Sequence, residues 1–238
     1  MIVVVGLAFE ARIAARSGLQ VICSGDGRNL ERTLRQAIST GCKGLISFGV
    51  AGGLKPGLNP GACVVGSAVV SREGRLPTDR NWSQKLLHAM PGAVHGVLAG
   101  APAPVATPAD KRALNRGTGA IAVDTESHIV AHAAARHGLP MVALRVILDP
   151  VTRTLPELAL TSVRPDGTTD IFSLLRSLLR RPHGLPGLLM TALDARAARA
   201  TLMRGSRLLG PDLELAVNRD LETAALTGAA RGLGPAVS

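Results

Sequence analysis

The chain has no tyrosine, one tryptophan (Trp82) and three phenylalanines in 238 residues, so rings make up only 2% of it. That poverty tells against single-strand nucleic-acid binding, where bases stack on aromatic side chains. Cysteine is scarce too: Cys23, Cys42 and Cys63 form no metal-ligand spacing and no even disulfide set. They read as small buried hydrophobes in a reducing cytosol. No apolar run reaches the roughly 18 to 20 residues that span a bilayer. "MIVVVG" lacks the basic n-region, length and cleavage site of a signal peptide. The expected location is the cytoplasm.

What is present is aliphatic. The sequence is 46% hydrophobic, so a large core must be built from Leu, Val, Ile and Ala. Twenty-seven glycines and fifteen prolines indicate many tight turns, without a low-complexity period or an internal repeat. The length suits one α/β domain or two small ones. Basic side chains outnumber acidic ones 27 to 17, giving +10. Residues 170–207 hold seven arginines against Asp170 and Asp194, half of that excess. A local basic face of this kind suits an anionic partner.

Strand and helix patterns alternate. "MIVVVG" reads as a buried strand, residues 9–17 as a helix, "LQVICSG" as a strand and "RNLERTLRQAIST" as an amphipathic helix. "KGLISFG" is an apolar strand followed by a glycine-rich loop, "GVAGGLKPGLNPG"; "ACVVGSAVV" is another strand. Residues 75–92 read as loop plus short helix, and "GAVHGVLAG" as a strand. "TPADKRALNR" opens with a Thr cap and Pro in the first turn. "GAIAV", a helix over residues 124–137 and the strand "PMVALRVILD" follow. The expectation is a single α/β domain with a central mixed sheet flanked by helices. Its core would be residues 1–150. Residues 151–210 would complete it as a linker and basic helices ("IFSLLRSLLRR" and "LPGLLMTALDARAARATLMRGSRLL"), and 211–238 would form a tail.

Three turns after apolar strands attract interest. "SGDGR" (Ser24–Arg28) precedes a helix, where backbone N–H groups cradle an anion or simply make a βα turn. "FGVAGGL" (Phe48–Leu54) either lets a ligand approach the backbone or packs tightly. Asp124 and Glu126 stand at a helix start, which by itself favours acids. Asp149 ends an apolar strand carrying one other charge and must meet water, a hydrogen-bond network or a ligand. His128 and His132 have metal-ligand spacing but no third ligand, so no metal is expected. Asp110, Lys111 and Arg112 read as a solvated face.

Together these segments resemble the nucleoside phosphorylase and nucleosidase superfamily: "SGDGR" its S-G-x-G-K/R turn, "FGVAGGLKPGLNPGACVV" its G-x-A-G-G-L segment, and "VDTESHIVAHAAARHGLPMVALRVILD" its V-x-M-E…V-R-x-I-S-D segment. The resemblance implies that Glu126 holds the ribose hydroxyls and that Asp149 protonates or hydrogen-bonds purine N7. An Asp there implies an adenine base. Val50, Ala51, Gly52, Asp124 and Thr125 would line the substrate, and no cofactor is implied beyond inorganic phosphate as a co-substrate. A homo-oligomer is common in such a family.

Nucleosidases of the family carry a water-holding glutamate on the first helix. Here Arg12 falls at about that place and Glu10 two residues earlier, which favours phosphorolysis over hydrolysis. Phosphate would then lie among Arg12, Arg28 and the turn at Gly25, with Ser47 where phosphorylases have an arginine. "GLAFEARIAA", "ILDPVTRTLPELAL" and the Arg-rich tail further resemble hopanoid-associated phosphorylases. That resemblance implies adenine removal from adenosylhopane and a peripheral position on the inner face of an anionic membrane through residues 170–207. The alternatives are a soluble methylthioadenosine or adenosine nucleosidase or phosphorylase and, of another class, a non-catalytic purine- or nucleic-acid-binding module; nucleic acid is not an expected partner.

Overall fold

The computed structural model describes residues 1–155 and 185–209, without the side chains of 185–193. The expected helix "IFSLLRSLLRR", most of the linker and the tail from residue 211 lie outside the described residues. The element order is β1 (Ile2–Val5), α1 (Ala8–Ala14) with a 3-10 turn (Ala15–Ser17), β2 (Gln20–Cys23), α2 (Gly27–Ser39), β3 (Leu45–Gly53), β4 (Cys63–Ser71) and β5 (Gly74–Pro77). Then come α3 (Arg80–Ala89), β6 (Val94–Gly100), α4 (Pro108–Thr118), β7 (Ala122–Asp124), α5 (Ser127–His137), β8 (Met141–Asp149) and α6 (Leu185–Leu208).

The strands form one mixed sheet that closes on itself. β3 runs parallel to β8, β8 antiparallel to β4, β4 parallel to β6 and β6 parallel to β7. β7 returns antiparallel to the Gly52–Gly53 end of β3, completing a five-stranded ring. β1 and β2 extend the sheet beyond β3, and β5 hangs on β4. The four residues of β1 are buried on both faces, as a strand covered by helices on each side requires. One face packs Leu30, Leu34 and Ile38 of α2 with Val130 and Ala134 of α5. The other packs Ile13 of α1, Trp82 and Leu86 of α3, and Ala198 and Leu202 of α6.

Local signals explain the helix starts. Asp26 accepts from the N–H of Arg28 at the head of α2, and Thr107 from that of Asp110 at the head of α4, each satisfying an otherwise orphaned donor. Gly138 ends α5 with φ +62°, a conformation that glycine adopts without a Cβ penalty.

The structure differs from the sequence reading in four places. The glycine-rich loop is strand as far as Gly53, because β8 and β7 supply ladder partners. Residues 75–92 contain β5 as well as a helix. Helix α5 begins at Ser127, with Glu126 at the capping position. Lys111, read as solvated, is completely buried.

Candidate active site

Two charged residues of β8 face two glycines of β3: Arg145 is registered against Gly49 and Asp149 against Gly52. The register slips between Ala51 and Gly52. A bulge there re-aims the end of β8, and it brings Asp149 beside Gly52. A β-carbon on Gly49 would lie 2.9 Å from an Arg145 guanidinium nitrogen, too close to be accommodated without movement. One on Gly52 would press on Val123 at 3.3 Å and stand at ordinary contact distance, 3.5 Å, from both Asp149 carboxyl oxygens.

Arg145 is fully buried and organises the first cluster. Its Nε stands 3.2 Å from Asp124 and its Nη1 3.3 Å from Glu126. Nη2 donates to the Ser47 hydroxyl at 2.6 Å and to that of Ser127 at 3.2 Å. Both oxygens of Asp124 are occupied, accepting from the Glu126 and Ser127 N–H groups and the Ser127 hydroxyl. Asp124 is thereby tied to the start of α5 and to Arg145. Glu126 has 12% of its side chain exposed and accepts from the Thr125 hydroxyl. Burial pushes its carboxyl up, Arg145 opposes that, and Asp124 adds to it.

Glu10 completes this cluster from α1. It is 1% exposed. One oxygen accepts from the N–H of Gly6 at 3.0 Å and of Leu7 at 2.8 Å, the other from Val50 at 2.7 Å. Burial first, and the charge of Glu126 second, push its carboxyl up to about 7, against the pull of Arg145 and the Val50 and Leu7 N–H groups. A β-carbon on Gly6 would run into the Glu126 carboxylate. Glu10 and Glu126 thus flank the same glycine.

The second cluster is Asp149 with Lys111. The Lys111 ammonium donates to Asp149 Oδ2, to the carbonyl of Pro150 at 3.2 Å and to that of Arg153 at 2.8 Å. Burial raises the Asp149 carboxyl, opposed by the hydrogen bond and charge of Lys111 and then by the charge of Arg153.

The remaining sequence-based assignments separate. Val50, Ala51 and Gly52 lie on β3 between the clusters. Ser47 is buried and bound to Arg145. Arg12 does not enter the site: it is exposed and lines a groove between α1 and α6. Gly25 and Arg28 are exposed at the head of α2. At that N-terminus the Asp26 carboxylate accepts from the Arg28 N–H, satisfying one of its donors. His132 turns to Ser71 and Glu73, and among the described residues no His, Cys, Asp and Glu group could hold a metal ion. Arg145 and Lys111 were not assigned a role from the sequence. The signal available for Arg145 was its being the lone charge within "MVALRVIL".

The sequence profile of the Phosphorylase superfamily matches residues 13–180. No curated protein matches the chain. Among solved structures it resembles a putative 5'-methylthioadenosine/S-adenosylhomocysteine nucleosidase from Francisella philomiragia, with TM-score 0.61 and 15% identity over 92% of this chain and 97% of that one. Native futalosine hydrolase of Helicobacter pylori gives 0.60 and 13% over 92% and 97%. The Streptococcus pneumoniae 5'-methylthioadenosine/S-adenosylhomocysteine nucleosidase, solved with a transition-state inhibitor, gives 0.59 and 13% over 87% and 97%. At such identities the likeness is one of fold.

Proposed function

The chain belongs to the phosphorylase superfamily, and on that premise we propose that it hydrolyses the N-glycosidic bond of an adenine nucleoside. The observation that carries this reading is the pairing of Glu10 and Glu126 around Gly6 and Arg145, with Glu10 buried and poised near neutrality. A base is most effective when its pKa lies near the working pH. Glu10, ionised, takes a proton from water as the water oxygen bonds to C1′. The C1′–N9 bond breaks, its electron pair enters the purine, and Asp149 delivers a proton to N7. Glu126 accepts hydrogen bonds from the ribose hydroxyls and holds the oxocarbenium-like sugar in line. The backbone of Val50, Ala51 and Gly52 lies along the base.

Water is favoured over phosphate because the cations assigned to phosphate, Arg12 and Arg28, are exposed away from Glu10, whereas the buried Arg145 is saturated by its own partners. The solved structures of similar fold include proteins named as hydrolase and nucleosidases, which supports the same choice.

The finer reading is that the nucleoside is adenosylhopane and the product ribosylhopane. Two things support it: the resemblance to hopanoid-associated phosphorylases and the groove between α1 and α6. There Arg12, Arg16, Arg196 and Arg199 surround Phe9 and Met203. Exposed cations beside apolar side chains suit an anionic membrane surface. Adenine release from adenosylhopane in anionic liposomes, beside methylthioadenosine, tests both levels. Preference for the lipid substrate supports the finer reading. Release from methylthioadenosine alone removes the hopanoid role and keeps the enzyme, and release from neither overturns both.

A further inference from the structure

Lys111 lies near the start of α4 and is among the largest fully buried side chains of the described structure. An ammonium group leaves water only when its donors are met, and here all three are. One goes to Oδ2 of the Asp149 carboxyl group and two to the carbonyls of Pro150 and Arg153. The segment is fastened a second time nearby, where the N–H of Leu155 donates to the carbonyl of Ala106 just before α4. α4 therefore clamps the end of β8 and the turn after it. The clamp also orients the carboxyl group, with Oδ2 turned to Lys111.

We propose that Lys111 is a positioning residue that fixes the Asp149 carboxyl against the purine and receives the negative charge formed there when N7 takes its proton. The inference rests on the reading of Asp149 as the acid of glycosidic cleavage. In that step the proton moves from the Asp149 oxygen to N7 as the C1′–N9 electron pair enters the ring, and the carboxyl becomes a carboxylate. Lys111 loses no proton. Its ammonium is complementary to the anion produced, an interaction stronger after proton transfer than before, which is the kind that lowers a barrier. The three-acceptor arrangement means that nothing need reorganise as the charge appears.

The test compares unmodified protein, Lys111→Met, Lys111→Arg and Asp149→Asn on two substrates. Adenosine must have its base protonated to leave; 4-nitrophenyl riboside releases a stable phenolate without a proton. If Lys111 acts through Asp149, Lys111→Met lowers the ratio of kcat/KM for adenosine to that for the aryl riboside by about 10²-fold, within the range of one general acid. Lys111→Arg, which keeps the charge, loses less. Asp149→Asn lowers the ratio similarly, and adding Lys111→Met to it lowers the ratio no further. The alkaline limb for adenosine, where Asp149 loses its proton, moves up by about one pH unit or more when the cation is removed. Thermal unfolding of each variant establishes that it is folded.

A clamp that merely supports the fold would lower both substrates together and leave the limb in place, and that result overturns the proposal. If adenosine is cleaved but the aryl riboside is not, the position of the alkaline limb decides alone. If unmodified protein releases neither product, the glycosidic reading fails and the role of Lys111 with it.

Discussion

Arg145 and Glu126 meet at 3.3 Å within the closed part of the sheet, Nη1 to Oε2. The same guanidinium reaches Asp124 at 3.2 Å, and its charge also acts on Glu10. Removing it leaves three acids in one interior region with no cation among them. Breaking a buried pair from one side costs about 3–5 kcal/mol. Arg145→Met is therefore expected to lower the unfolding free energy in urea by about that amount. Arg145→Lys keeps the charge but lacks the planar fork, and should recover only part of the loss. Stability equal to the unmodified protein would contradict this role.

Glu10 makes stability depend on pH in a definite direction. Its carboxyl rises from 4.5 to about 7 on folding, so the folded state binds the proton more tightly than the unfolded chain. The stabilising contribution is full below pH 4.5 and is lost as pH rises through about 7. Glu10→Gln carries no charge at any pH. Unfolding experiments across this window should show the unmodified protein losing on the order of 3 kcal/mol relative to the variant. A difference that stays flat with pH would show that Glu10 is not held in this state.

Gly49 is needed for space and for its backbone, which has φ +151°. An added β-carbon would stand 2.5 Å from Glu10 Oε1. Gly49→Ala should reduce kcat on the order of 10²-fold through displacement of that carboxylate, while the far-ultraviolet circular dichroism stays that of the folded protein. An unchanged kcat would remove Glu10 from the reaction.

Much of this was legible in the chain. The alternation of apolar strands with capped helices led to the right fold class, because "IVVV" and "MVALRVI" are buried on both faces. Glu126 and Asp149 stood out as acids at element ends. What the sequence hid was partnership across the fold. Lys111 sits between Asp110 and Arg112 in a run that looks solvated, and its helix turns only Lys111 of the three inward, to an acid 38 residues away. Glu10 and Arg12 are two residues apart on a short helix, so they point to different sides. Spacing alone favoured the arginine, whereas packing of α6 against α1 leaves Arg12 outside and Glu10 within.

The exposed arginines give a sharp contrast. Arg12→Ala and Arg28→Ala should each change kcat/KM for a small adenine nucleoside by less than about threefold, as expected of surface side chains remote from the reacting atoms. Glu10→Ala should cost about 10²–10⁴-fold, the usual contribution of a positioned base. A large loss in Arg12→Ala accompanied by a raised requirement for phosphate would restore phosphorolysis.

The most direct measurement is the initial rate of adenine release from an adenine nucleoside in phosphate-free buffer and again with phosphate, with the sugar product identified in each. Equal rates and a free reducing sugar in both are expected if water beside Glu10 is the nucleophile. Release only with phosphate, giving a sugar 1-phosphate, would contradict it.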